Sequence, residues 1–120
     1  MDIHWNTTII NPQELIHMSR GDKKIIHKYL LQFQELIPQR IESLEISLKT
    51  GDRKMVRQII HKMSPQLQFF GIPDIIQPIR RLEHEYATMP IEDLNELAEN
   101  VLIKLHLAVK DVHSILTENF

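Results

Sequence analysis

The stretch IEDLNELAENVLIKLHLAVKDVHSIL, Ile91–Leu116, decides the fold class. Its apolar residues Ile91, Leu94, Leu97, Val101, Leu105, Ala108, Val112 and Leu116 recur at steps of three and four throughout. That spacing builds one face of an α-helix and no face of a strand. The same period runs upstream. Asp22 to Lys49 carries Ile25, Ile26, Leu30, Phe33, Ile37, Ile41, Leu44 and Leu48 on an inward face. Pro38 falls inside it and predicts a kink or restart near Ile37, because proline has no N–H to give the preceding turn. A short segment with Leu15, Ile16 and Met18 opens on Asn11-Pro12, an N-cap followed by a first-turn proline, and predicts a helix over about 12–19. Asp52 to Phe70 and a stripe of Ile75, Ile76, Ile79, Leu82 and Tyr86 complete the set. No sustained two-residue alternation and no hairpin dipeptide argues for strands.

The three glycines stand at boundaries: Gly21, Gly51 before Asp52, and Gly71 before Pro73. Thr88-Met89-Pro90 opens the last helix. No repeat, low-complexity tract or linker divides the chain, so residues 1–120 are expected to form one domain. Short connections between long amphipathic helices make sequential helices antiparallel neighbours. The expected architecture is all-α: an antiparallel up-down four-helix bundle over about 22–118, preceded by a short N-terminal helix.

Composition narrows the function. The 120 residues are 42% hydrophobic and 25% charged, a folding composition. The absence of cysteine excludes a disulfide framework, a cysteine nucleophile and a thiolate metal site, and suits a reducing compartment. Lys plus Arg is 14 against 16 Asp plus Glu, a net charge of -2, which argues against a nucleic-acid partner bound through phosphate neutralisation. No apolar run approaches the ~20 residues of a membrane span. The start, Met1-Asp2-Ile3-His4, has an acid where a signal peptide needs positive charge. A cytoplasmic, monomeric protein with no membrane partner is expected.

The informative helix is Asp52 to Phe70. Its apolar stripe is Val56, Ile59, Ile60, Met63, Leu67 and Phe70, and His61 lies about 150° from the centre of that stripe. The phase therefore predicts an exposed histidine. Arg57, Ser64, Pro65 and Gln68 lie at i−4, i+3, i+4 and i+7 and share its strip of surface. Lys62 points along the opposite flank. Phe69 also falls on the polar half, where an aromatic has no core to fill. A histidine exposed among polar side chains, with Pro65 and Phe69 beside it, reads as a docking surface with a nucleophile at its centre.

The order of these residues resembles a known signature. Ile60-His61-Lys62-Met63-Ser64-Pro65-Gln66-Leu67-Gln68-Phe69-Phe70-Gly71 is similar to the active segment of histidine-containing phosphotransfer (HPt) domains. That family places a small or apolar residue before the histidine, Leu or Met two residues after it, then Lys, Gly and a helical run to a glycine. Gly71 falls where the family's glycine falls, and Arg81-Leu82-Glu83 where Leu-Glu is common on the next helix. Phe33, Pro38, Leu44 and Gly51-Asp52 match the preceding helix, so the resemblance spans about Asp22 to Glu118. Two positions depart from it: the family's lysine is Ser64 and its second-turn glycine is Pro65. The lysine offers positive charge to phosphoryl oxygens, which Ser64 replaces with a neutral hydrogen bond. Pro65 adds bulk where the glycine leaves room for a partner.

The resemblance implies a phosphorelay carrier with His61 as phosphoacceptor, working with a receiver domain of a response regulator or hybrid sensor kinase. Attack on phosphorus needs a neutral imidazole with one nitrogen free and the other held by an acceptor. Glu83 is the candidate acceptor; Arg57 and Arg80, with Ser64 and Gln68, are candidates to face the phosphoryl group. Lys62, Pro65 and Phe69 are candidates for partner docking. No cofactor is expected on this chain, because the receiver is expected to supply the aspartate and its Mg²⁺. There is no P-loop and no Gly-rich ATP motif, so the chain is not expected to be a kinase. A carboxylate-bridged metal bundle is a poorer reading. Glu14-Leu15-Ile16-His17 is the one Glu-x-x-His motif, whereas such a site takes two, with further inward carboxylates. A second alternative is an HPt-like interaction module that docks a partner without accepting phosphate.

Overall fold

Two residues turn the chain between its first two long helices. Gly51, at φ +69°, ends the helix Lys23–Thr50 in the left-handed conformation, and its N–H and that of Asp52 return to the carbonyls of Leu48 and Ser47. The Asp52 side chain then accepts from the Met55 N–H and caps the next helix. A turn this short forces an antiparallel pair.

The computed structural model describes residues 5–120. Met1 to His4, on which the reading of the N-terminus rests, lie outside the described residues. The elements are α1 (Gln13–Met18), α2 (Lys23–Thr50), α3 (Arg53–Leu67), α4 (Ile76–Glu85) and α5 (Ile91–Asn119), with no strand among the described residues. Packing runs in a ring: α2 lies against α3 and α5, and α4 against α3 and α5. The bundle measures 47 × 21 × 21 Å, its long axis set by the 28 and 29 residues of α2 and α5. The architecture is the all-α up-down bundle with a short extra N-terminal helix.

The stripes read from the sequence meet in one core. Leu30, Phe33, Ile37 and Leu44 of α2, Val56, Ile60 and Met63 of α3, Ile79 and Leu82 of α4, and Leu94, Leu105 and Val112 of α5 are all buried. Phe33 and Phe70 pack with their ring centroids 4.4 Å apart and the ring planes tilted by 44°. Three expectations need correction. Ile25 and Ile76 are exposed, because each lies at the edge of its stripe where no neighbouring helix covers it. α2 does not restart at Pro38 but runs through it. The ring sits on the solvent face, where the carbonyl of Gln34, deprived of its i+4 donor, can turn to water. Helix α1 begins one residue later than the Asn11 cap predicts; Pro12 is the boundary residue, and the Asn11 side chain accepts from the Gln13 N–H.

The segment before α1 is tied down at both ends of its run. The backbone N–H groups of Thr8, Ile9 and Ile10 donate to the Asp111 carboxylate at 2.7, 2.8 and 2.9 Å. Asp111 is buried on α5, and these donors replace the water it gives up. Further along, the Asn11 N–H donates to the Phe70 carbonyl, and Asn11 packs on Gly71.

Gly71 has less room for a side chain than Gly51. Its φ is +56°, and an added Cβ would stand 2.7 Å from the Asn11 carbonyl oxygen and 2.8 Å from the Asn11 Cβ. Gly51 shares the left-handed backbone but has nothing within 4 Å. Gly71→Ala is therefore expected to cost more than Gly51→Ala: roughly 1–2 kcal/mol is the left-handed penalty both share, and the backbone clash adds to it only at position 71. Urea unfolding of the two variants checks this; equal midpoints would remove the role given to the Asn11 contact.

Candidate functional site

α3 presents one face to the core and the opposite face to solvent. Val56, Ile59, Ile60, Met63 and Leu67 are buried on it. The phase that buries them turns position 61 outward, and the His61 side chain is 63% exposed. α4 brings Glu83 alongside: its Oε1 lies 3.7 Å from His61 Nδ1. The Glu83 side chain is only 20% exposed, and Oε1 is buried with no hydrogen-bond partner. A carboxylate oxygen taken from water without a donor carries a desolvation cost, and the donor within reach is an imidazole N–H. At 3.7 Å the contact is an ion-pair distance, longer than a hydrogen bond.

The other predicted residues are placed as follows. Arg57 and Ser64 are half-buried and Gln68 is exposed, on the flank of α3 that faces α4. Arg80 is exposed one turn before Glu83, but it borders a shallow depression of about 410 Å³ with Gln77, Arg81, His84 and Leu97. The walls of that depression are α4 and Leu97 of α5, and no residue of α3 lines it. Neither arginine has a carboxylate within 4.0 Å among the described residues. Lys62 and Pro65 are exposed. α3 continues through Pro65 to Leu67, and since proline has no N–H, the His61 carbonyl lacks its helical donor.

Phe69 is a correction. It is half-buried and packed on the core edge, with its ring 6.1 Å from Tyr29 in an edge-to-face pair. α3 stops at Leu67 rather than at Phe70, so Phe69 lies beyond its end, and α2 covers the ring there. Between them Tyr29, Gln32 and Leu36 of α2, with Pro65 and Phe69, border a groove of about 400 Å³. On the far side of Phe69, Glu14, His17 and Met18 of α1 form a second wall. Tyr29 and Gln32 escape a reading of the sequence alone. The available signal is an aromatic one turn before Phe33 and off the centre of its stripe, adjacent to the helix that bears His61.

Charge is unevenly spread. From Arg53 to Pro73 there is no Asp or Glu, while Arg53, Lys54, Arg57 and Lys62 are cationic, in a chain whose net charge is -2. The histidine thus sits on a positive helix, which favours an anionic ligand or a partner with an acidic face.

No protein-family model and no curated protein matches the sequence. Among solved structures, the HPt domain of a sensor hybrid histidine kinase from Shewanella superposes with a TM-score of 0.80, covering 91% of this chain and 94% of that one at 18% identity. An all-helical ring of this order, with its histidine helix between α2 and α4, is thus the fold of a histidine-containing phosphotransfer domain.

Proposed function

We propose that the chain is a phosphorelay carrier in which His61 takes a phosphoryl group from the aspartyl phosphate of a receiver domain and passes it to the aspartate of another. One observation carries the reading. An exposed histidine stands in the middle of its helix with Nδ1 toward a buried, unpartnered carboxylate oxygen, which leaves Nε2 facing solvent. An ionised carboxylate only accepts, so it favours the tautomer with hydrogen on Nδ1 and the lone pair on Nε2. That lone pair attacks phosphorus, the P–O bond to the aspartate breaks, and the carboxylate leaves with the electron pair. The ring becomes a phospho-imidazolium whose positive charge Glu83 faces; the reverse step returns the group to the next aspartate.

The receiver supplies the Mg²⁺ and most of the charge neutralisation, so this chain needs only to position its nucleophile and add a cation beside it. The acid-free stretch from Arg53 to Pro73 suits the acidic rim such a metal site requires. The groove bordered by Tyr29, Pro65 and Phe69 offers apolar contact beside the histidine. On this reading the chain has no kinase or phosphatase activity of its own and works in the cytoplasm; among the described residues no helix is long and apolar enough to cross a membrane.

A second reading is a docking module that does not accept phosphate, and it is favoured by Ser64 and Pro65 where HPt domains carry Lys and Gly. Incubation with a panel of phosphorylated receivers separates the two. The carrier acquires an acid-labile, alkali-stable label; the docking module binds a receiver and remains unlabelled.

A further inference from the structure

The approach of Glu83 to His61 depends on the register of α4 against α3, and one side chain spans the two helices to set it. Arg53, the first residue of α3, is half-buried, and its Nη1 donates to the carbonyls of Tyr86 at 2.9 Å and Met89 at 2.6 Å. Tyr86 is the C-terminal boundary residue of α4, and Met89 lies in the turn that leads into α5. The Tyr86 carbonyl is one that the end of α4 leaves without a donor, and a cation there meets the negative end of the α4 dipole. The Met89 carbonyl belongs to the turn before Pro90, the boundary residue of α5.

The placement matters because α4 has only ten residues. A helix of that length is marginal by itself, so its position comes from its contacts. Ile79 and Leu82 hold it to the core but are apolar side chains that tolerate sliding; the guanidinium contact is directional. Glu83 is one turn before Tyr86 on α4, and His61 is about 12 Å further along α3 than Arg53 at 1.5 Å per residue. Both members of the His61–Glu83 pair are thus fixed, through rigid helix, to the two ends of one contact.

We infer that Arg53 is a positioning residue for the phosphotransfer site: by holding the C-terminal end of α4 it keeps Glu83 against His61 Nδ1. The inference rests on the proposed role of His61 and Glu83, but one of its readouts does not require phosphate at all. The neutral His61 ring reports its tautomer through long-range ¹H–¹⁵N NMR correlations.

Three variants and a cycle test it. Arg53→Met keeps length and removes every donor; the expected result is a shift of His61 from the Nδ1–H toward the Nε2–H tautomer, with a fall in transfer rate of about two- to thirtyfold. Arg53→Lys retains a charged donor and is expected to restore most of both. Glu83→Ala alone should give the same tautomer shift, and adding Arg53→Met to it should change neither readout further. An unchanged tautomer in folded Arg53→Met overturns the inference, and so does full additivity with Glu83→Ala. Should Arg53→Met unfold, Arg53→Gln, which keeps a neutral donor but loses the charge and the fork, decides: a tautomer shift toward Nε2–H supports the role, and a wild-type tautomer overturns it. Failure of the wild-type chain to accept any label, with the tautomer shift intact, would instead count against the phosphorelay reading.

Discussion

His61→Gln is expected to abolish phosphoryl labelling completely while leaving the helical circular dichroism and the melting temperature near those of the wild type. Both halves come from the same geometry. The side chain is 63% exposed, so it contributes little to packing, and exposed substitutions away from caps and special backbone cost under about 0.5 kcal/mol. Glutamine keeps polarity and approximate reach but has no basic nitrogen with a lone pair for attack on phosphorus. The measurement is autoradiography or phosphate-affinity electrophoresis after incubation with a phosphorylated receiver, beside a thermal melt. Label retained in the variant would move the acceptor to another of the 7 histidines. The exposed ones on α5, His106 and His113, would then be the next to substitute; His106 already faces Glu45 at 3.5 Å.

The second large effect concerns the charge that Ser64 does not supply. Arg57 stands one turn before His61 on the α4-facing flank, half-buried and without a carboxylate within 4.0 Å among the described residues. An arginine so placed is free to turn its fork to phosphoryl oxygens as charge develops there. A charge-assisted hydrogen bond is worth roughly 1.5–3 kcal/mol, so Arg57→Met is expected to slow transfer by about ten- to a hundredfold. Arg80→Met should do less, because Arg80 borders a depression between α4 and Leu97 that no residue of α3 lines. Lys62→Met, on the opposite flank, should change the rate least. Ser64→Lys restores a cation one turn after the histidine and is expected to recover much of the Arg57→Met loss. Stopped-flow transfer rates for the four variants and the double variant decide the assignment. A wild-type rate in Arg57→Met, with no gain from Ser64→Lys, would mean that the receiver supplies all the positive charge.

Periodicity alone makes the helices legible. Steps of three and four define a face whatever the helix packs against, so the stripes of α2, α3 and α5 can be read residue by residue, and phase by itself places His61 outside the core. Where periodicity misleads, a neighbouring element or the solvent decides instead. Phe69 has a polar phase on a helix drawn to Phe70, yet α3 ends at Leu67 and Tyr29 of α2 covers the ring. Ile76 has an apolar phase on α4, yet no helix reaches it. Pro38 should interrupt α2, but the helix runs through it with the ring on the exposed face.

The sequence by itself determined the class of fold, the order of its helices, the turns at Gly51 and Gly71, and which histidine stands free of the core. Each of these follows from interactions among residues within one or two turns of each other. The tertiary structure alone decided what that histidine faces. The His61–Glu83 pair, the grip of Arg53 on Tyr86 and Met89, and the capture of the Thr8–Ile10 backbone by Asp111 join residues up to 103 positions apart. Their geometry depends on how far one helix slides and turns against another. Side-chain periodicity is nearly silent on that quantity, since an apolar stripe packs almost equally well one turn up or down. Directional contacts remove the ambiguity, and they form only when the helices have met.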